Sequence, residues 1–474
     1  MVLTGIFIEE ATPFIEDFFE KFIHLNYPKS RVHLFIHNAI RYHDQHVKNF
    51  LKQHGSMYAS KQLIDTEDDK QTLTDWQARN YALEKCLKLK CDYYFSLDSV
   101  ARLDWSNTLR KLIETNRNAV APLLNRPGKL WSSFWGSITP EGYYARSHDY
   151  VDIINGAKVG LWNVPHMMYA YLIKGSLLRQ MQSNEVTKKS KLSFALDDTL
   201  NIVNTAAPVL EQASPVARPP ASLVFSNSLR MAGVFQHLLN THEMGHLVDP
   251  THYNTSIKHP DFYQLSYNME DWEDHYLHDK YMDIYDDNLA EFNMQKPCPD
   301  VIWFPLVNER FCREIIEIME HYGQWSGGTN NDPRIEGGYE SVPTRDIHMK
   351  QVGLHEMWLT FLKEYVMPVQ LKEYIGYEHD PPRADLAFVV RYHPAEQPSL
   401  RPHHDSSTYT LNIALNTPGI DYEGGGCKFI RYNCSVTESR RGWALMHPGR
   451  LTHYHEGLPV TNGTRYIMVT FVDP

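Results

Sequence analysis

The chain has 474 residues, enough for roughly three folding units and for a large core without covalent staples. Hydrophobic residues make up 42% and charged residues 22%, a globular composition that excludes a disordered or collagen-like chain. Lys and Arg total 46 against 57 Asp and Glu, a net charge of −11 with no long basic run, so nucleic-acid binding is disfavoured and a cationic or neutral partner fits better.

The opening run 2–8 is apolar but too short for a signal-peptide core; it lacks a basic leader and meets Glu9-Glu10, so it reads as a first buried strand. No signal peptide is expected in this chain. Residues 13–25 place Phe14, Ile15, Phe18, Phe19, Phe22 and Ile23 on one helical face, and a second apolar run follows at 32–36. This β-α-β pattern predicts a Rossmann-like parallel sheet with flanking helices. A helix over 74–88 precedes the strand 93–98, which ends in Asp98, at the kind of strand end where open α/β sheets hold ligands. The most apolar stretch, 156–173, is broken by Lys158, Asn163, Pro165 and His166 and is no membrane span. Around 199–224 the composition shifts to Ala, Pro, Val and Ser and predicts a loop or insertion. The acidic, aromatic stretch 271–291 and Pro297-Cys298-Pro299 place a boundary near 290, giving domains over 1–290 and 291–474.

The second domain begins with helices over 308–322 and 354–367, then changes to short β runs at 386–392, 408–415, 426–432, 442–446 and 465–472. In the last run Arg465, Ile467, Val469 and Phe471 share one face. An antiparallel sandwich or barrel capped by helices closes this texture.

The sharpest constellation lies there. His403-His404-Asp405 precedes a strand, and His455 follows about fifty residues later, just before the last strand. Two imidazoles and a carboxylate can occupy one face of an octahedral Fe(II) and leave the other positions open for co-substrate and O₂. His403 rather than His404 pairs with Asp405, because residues two apart on an extended chain point the same way; His404 is expected to point away. Arg465 is the one cation on an apolar inward face, and a bidentate carboxylate partner would satisfy it.

Two other patterns carry less. His242-Glu243-Met244-Gly245-His246 matches a zinc-protease motif, but Gly245 weakens the helix it requires, Pro250 ends it, and no clear third ligand follows. Sugar-nucleotide transfer needs paired carboxylates, and Asp98 stands alone, with Asp197-Asp198 a distant substitute. Sequons at Asn254, Asn433 and Asn462 lean toward a secreted glycoprotein. The six cysteines leave pairing open, though Cys86 with Cys91 suits the end of a helix.

The residues flanking the His-x-Asp site resemble the procollagen-lysine hydroxylases, a branch of the 2-oxoglutarate and Fe(II)-dependent oxygenases. The resemblance rests on Arg401-Pro402-His403-His404-Asp405-Ser406-Ser407-Thr408, Tyr422-Glu423-Gly424-Gly425-Gly426-Cys427, His447-Pro448-Gly449-Arg450-Leu451-Thr452-His453 and His321-Tyr322-Gly323-Gln324-Trp325-Ser326. Tyr93-Tyr94-Phe95-Ser96-Leu97-Asp98 and Val159-Gly160-Leu161-Trp162-Asn163 resemble that family's accessory glycosyltransferase-like domain, and nothing here corresponds to its further N-terminal glycosyltransferase domain. It implies a double-stranded β-helix (jelly-roll) oxygenase domain with His403, Asp405 and His455 as iron ligands and Arg465 on the distal carboxylate of 2-oxoglutarate. Tyr392, Thr410, Asn412 and Cys427 are implied around the co-substrate, and a Cys298–Cys434 disulfide between connecting segment and oxygenase domain. The implied activity is hydroxylation of lysine at C5 in collagen-like Gly-X-Lys sequences of procollagen chains, with ascorbate as reductant, by a homodimer in the endoplasmic reticulum lumen. A non-catalytic collagen-binding scaffold and an oxygenase acting on another residue are the rival readings.

Overall fold

The computed structural model describes residues 1–67, 73–139, 143–183, 192–195, 219–285, 294–335, 337–375 and 383–473. They form two compact units, Met1–Thr255 and Ser256–Pro474.

The first unit is an α/β domain around an eight-stranded mixed sheet. Val2–Ile8 runs parallel to both Val32–Asn38 and Tyr93–Asp98. Every residue of Val2–Ile8 is buried, as expected of a central strand covered on both faces. The connecting helix Ile15–His24 buries Ile15, Phe18, Phe19 and Phe22, the face anticipated from the sequence. Helix Asp75–Lys88 starts at a capping box between Thr74 and Gln77. Ala170–Lys174 then enters antiparallel to Tyr93–Asp98, which makes the sheet mixed rather than purely parallel.

Two expectations for this unit need correction. Residues 199–218 of the expected 199–224 loop lie outside the described residues, but its end is helical: Ala221–Met231 starts behind Pro220 and buries Val224, Phe225 and Leu229. The Phe225 ring stacks on Phe194 at 4.2 Å, so a helical apolar stripe begins inside a stretch whose average composition is loop-like. Cys86 and Cys91 are not bridged; both are buried thiols in hydrogen-bond contact, Cys86 in the last turn of helix Asp75–Lys88 and Cys91 just beyond it.

The boundary falls at 255/256, well before 290. The acidic, aromatic stretch belongs to the second unit because helix Met269–Tyr276 turns Trp272 and Tyr276 onto helix Glu309–Tyr322. Their rings lie 6.2 and 6.5 Å from Phe311, and Tyr276 donates to Glu314 Oε2 at 2.7 Å. Burying two such aromatics outweighs the local helix-breaking signal of the prolines that follow.

The second unit is the expected jelly roll. A seven-stranded antiparallel sheet takes the order Gln295–Cys298, Val301–Pro305, Trp443–Pro448, Tyr409–Ala414, Arg465–Asp473, Arg383–Tyr392, Asp346–His348. A second sheet orders Leu400–His403, His455–Gly457, Cys427–Phe429 and Cys434–Val436. Helix Glu309–Tyr322 is capped by Asn308, whose side chain accepts from Phe311 N at 3.0 Å, and ends at Gly323 in the left-handed region, φ 69°. The second expected helix is His355–Phe361, continuing through a π turn at Leu362–Val366 into Met367–Glu373. Cys298 and Cys434 are disulfide-bonded, with Cα atoms 6.0 Å apart, which fastens the edge of the first sheet to the second. Among the described residues no helix is long and apolar enough to cross a membrane.

Candidate metal centre

The two sheets of the second unit face each other across a cavity of about 340 Å³. Extended backbone over Leu400–His403 leads into Asp405, and antiparallel pairing sets His403 opposite His455. The pairing closes a gap of fifty-two positions and puts the two imidazole rings 4.4 Å apart. His403, Asp405 and His455 each offer a ligand atom within 4.8 Å of the others. Among the described residues, this is the only group of three or more His, Cys, Asp or Glu side chains so arranged.

Hydrogen bonds to the backbone fix which nitrogens face the centre. His403 Nδ1 donates to the Arg401 carbonyl at 2.7 Å, and His455 Nδ1 donates to the His453 carbonyl at 2.9 Å. Each ring therefore carries its proton on Nδ1 and turns a lone pair on Nε2 toward Asp405. The Nε2 atoms lie 3.2 and 3.8 Å from Asp405 Oδ1 and Oδ2. Burial works to raise the Asp405 carboxyl pKa, but the neighbouring imidazoles of His403, His455 and His447, in their protonated forms, outweigh it and hold the group well below the usual carboxylate range. Burial keeps His455 below the ordinary imidazole value. A deprotonated carboxylate and neutral imidazoles are the forms that bind a metal.

Deeper in the same cavity lies Arg465, 6% exposed, with its guanidinium carbon 5.7 Å from the Tyr392 ring centre and 6.0 Å from that of Tyr422. Among the described residues no carboxylate forms an ion pair with it. A buried guanidinium without an anion carries a large desolvation penalty, so this end of the cavity is built for an anionic guest. Ile467, Val469 and Phe471 line the cavity beside it, as the alternation of that strand predicts. Fe(II) and 2-oxoglutarate both fit the residues present: a carboxylate with two Nε2 donors at one place, an unpaired guanidinium at another, and room between them.

Tyr392, Asn412 and Cys427 also line the cavity. Burial pushes the Tyr392 phenol and the Cys427 thiol each up to about 12, so both are protonated donors. Thr410 lines it too, but its hydroxyl is committed: Oγ1 donates to Asp405 Oδ2 at 2.5 Å and lies 3.0 Å from Ser407 Oγ. His404 packs at a tilt against Tyr454 with ring centres 4.9 Å apart and stands outside the three-residue cluster, as expected.

Sequence reasoning missed His447, which is fully buried 4.9 Å from the His455 ring and held near pKa 3 by burial and the His455 charge. Its Nδ1 donates to the Pro448 carbonyl at 2.8 Å. Reading Trp443–Pro448 as a strand with period two would have turned it to the face of Leu445.

The remaining candidates fall apart in the structure. His242 stacks on Trp105 at 4.3 Å and His246 sits in a short strand with Nδ1 2.8 Å from Asp104 Oδ2, so the protease-like motif forms no helix. Gly245 has φ 148°, and a Cβ there would sit 1.8 Å from the Arg102 carbonyl. Asp98 is bound by Arg79 at 2.8 Å, and Arg79 also reaches Asp75 at 2.5 Å; Asp197 and Asp198 lie outside the described residues. Asn254, Asn433 and Asn462 are all exposed.

Residues 1–267 match the glycosyltransferase family 25 N-terminal domain, and residues 384–474 match the 2OG-Fe(II) oxygenase superfamily. The chain is 47% identical over 476 aligned residues to procollagen-lysine,2-oxoglutarate 5-dioxygenase 1 of Gallus gallus, covering 100% of this chain and 60% of that protein. It is 48% identical to a multifunctional procollagen lysine hydroxylase and glycosyltransferase of Rattus norvegicus, with the same coverage. A Pseudomonas putida prolyl-4-hydroxylase structure, 13% identical, covers 41% of this chain and 99% of its own, at a TM-score of 0.28 that is too low to carry a structural equivalence. The chain thus spans about 60% of the length of the curated relatives it matches. The chain therefore belongs to the glycosyltransferase family 25 N-terminal-domain family through residues 1–267, carries a 2OG-Fe(II) oxygenase superfamily region over 384–474, and is similar along its whole length to procollagen-lysine 5-dioxygenases.

Proposed function

We propose that the protein hydroxylates lysine at C5 in collagen-like Gly-X-Lys sequences, as a 2-oxoglutarate- and Fe(II)-dependent dioxygenase. The observation that carries this reading is the convergence of His403, Asp405 and His455 with an unpaired buried Arg465 in one cavity. His403 Nε2, His455 Nε2 and an Asp405 oxygen would hold the iron, and the carbonyls of Arg401 and His453 keep both rings in the binding tautomer. Arg465 would take the distal carboxylate of 2-oxoglutarate in a charge-assisted bidentate pair. Tyr392, Asn412 and Cys427 would position the co-substrate from the surrounding wall, while Ile467, Val469 and Phe471 exclude water. The chemistry that bound Fe(II) supplies is oxidation of a C–H bond by O₂, coupled to decarboxylation of 2-oxoglutarate to succinate.

Ascorbate as reductant, procollagen chains as partners and a homodimeric state belong to the same proposal, from the family resemblance. Passage through the endoplasmic reticulum is supported by the Cys298–Cys434 disulfide and by exposed sequons at Asn254, Asn433 and Asn462.

The test is mass spectrometry of a Gly-X-Lys peptide incubated with the protein, Fe(II), 2-oxoglutarate and ascorbate, beside Asp405→Ala. One oxygen atom added to lysine, and lost in the variant, is the expected result. Succinate without modified lysine would point to an oxygenase of another residue; neither iron binding nor succinate would leave a collagen-binding scaffold.

A further inference from the structure

Lysine is an awkward guest for an apolar cavity. Its C5 lies two bonds from the ammonium nitrogen, so bringing C5 to the His403–Asp405–His455 centre carries the cation into the same space. An ammonium taken out of water needs a carboxylate partner. Arg465 lines the same cavity and repels it.

Among the described residues lining the cavity there are two carboxylates, Asp405 and Glu340. Asp405 is committed to His403, His455 and Thr410. Glu340 is half-buried, and among the described residues it forms no ion pair. Arg334, the cation that bears on it, is already held by Asp332 Oδ2 at 2.6 Å and Asp346 Oδ1 at 2.7 Å. The backbone around Glu340 is tied down: its N–H donates to the Asn330 carbonyl at 2.8 Å, and Asn330 Nδ2 donates back to the Glu340 carbonyl at 2.8 Å.

We propose that Glu340 is the lysine-selecting residue of this site, its carboxylate receiving the ε-ammonium of the substrate side chain. The inference rests on the lysine hydroxylase reading above and deepens it. Burial, with the charges of Asp346 and Asp332, pushes the Glu340 carboxyl up to about 7, and a cation placed beside it would favour the ionised form again. A prolyl ring carries no charge, so a site made for proline gives Glu340 nothing to bind.

The experiment measures binding without turnover. Protein loaded anaerobically with Fe(II) and 2-oxoglutarate is titrated with a Gly-X-Lys peptide and with its norleucine counterpart, which keeps the carbon chain and lacks the ammonium. Glu340→Gln should weaken the lysine peptide by about ten- to a hundredfold, the scale of an ion pair that loses one partner, while the norleucine peptide binds as before. Glu340→Asp should fall between wild type and Glu340→Gln. Equal weakening of both peptides would make Glu340 a structural residue and overturn the proposal, and so would an unchanged lysine peptide. A wild-type protein that hydroxylates lysine together with an indifferent Glu340→Gln variant removes this inference alone. A wild-type protein that never hydroxylates lysine removes the functional reading on which it stands.

Discussion

Thr410 offers the sharpest test of how the proposed metal centre is built. The resemblance places it beside the co-substrate, whereas the structure turns its hydroxyl onto Asp405 Oδ2 at 2.5 Å. Thr410→Val keeps the β-branched shape the strand prefers and deletes only the hydroxyl. The residue is 1% exposed, so no water replaces the lost donor. A hydrogen bond to a charged acceptor contributes about 1.5–3 kcal/mol. At about 1.4 kcal/mol per factor of ten, that is a loss of about 12- to 150-fold in metal affinity. The range agrees with the roughly 10–100-fold cost of removing groups that orient a metal ligand. Anaerobic calorimetry with Fe(II), or with Mn(II) as a redox-stable substitute, reads the effect directly, and Thr410→Ser should restore most of it. Unchanged metal affinity in a folded Thr410→Val protein would refute the reasoning. If 2-oxoglutarate binding weakened instead, with the metal unaffected, Thr410 would return to the co-substrate role implied by the resemblance.

Other consequences are equally direct. Replacing Cys298 and Cys434 together by Ala opens a cross-link between positions 136 apart, and loop-closure entropy sets its contribution at about 5 kcal/mol as an upper figure; urea unfolding should report a loss of about 2–5 kcal/mol, and an unchanged midpoint would contradict it. Gly449→Ala would put a Cβ 2.4 Å from the Ser407 carbonyl and 3.2 Å from Asp405 Cβ, so it should lower stability by about 1–3 kcal/mol and weaken metal binding; a variant with wild-type values for both would show the loop yields freely. His43 and His166 are held near pKa 3, both chiefly by burial, with His46 and Arg102 adding repulsion at the first and Arg230 at the second. Because the unfolded chain protonates each imidazole near 6.5 and the folded protein does so only near 3, stability is full above 6.5 and is lost as pH falls toward 3. His166→Gln should flatten that decline by up to about 1.4 kcal/mol per pH unit, measured as unfolding free energy across the window; equal slopes in the two proteins would count against it.

Much of the site was legible because it depends on short-range backbone geometry. An extended chain repeats every two residues, so His403 and Asp405 had to point together, and Arg465, Ile467, Val469 and Phe471 had to share a face; all six line the cavity. The helix over 15–24 followed from apolar spacing, again a local property. Other features depend on partners far away in the chain. Strand pairing alone sets His455 across from His403, and packing alone assigns Trp272 and Tyr276 to the second unit rather than the first. The same holds for the thiols of Cys86 and Cys91, for the non-helical path through Gly245, and for Glu340, a loop carboxylate with no motif around it. Local spacing decides which way a side chain points from its own backbone. Only closure of the two sheets around a shared cavity decides what it points at, because that depends on burial and pairing summed over the whole domain.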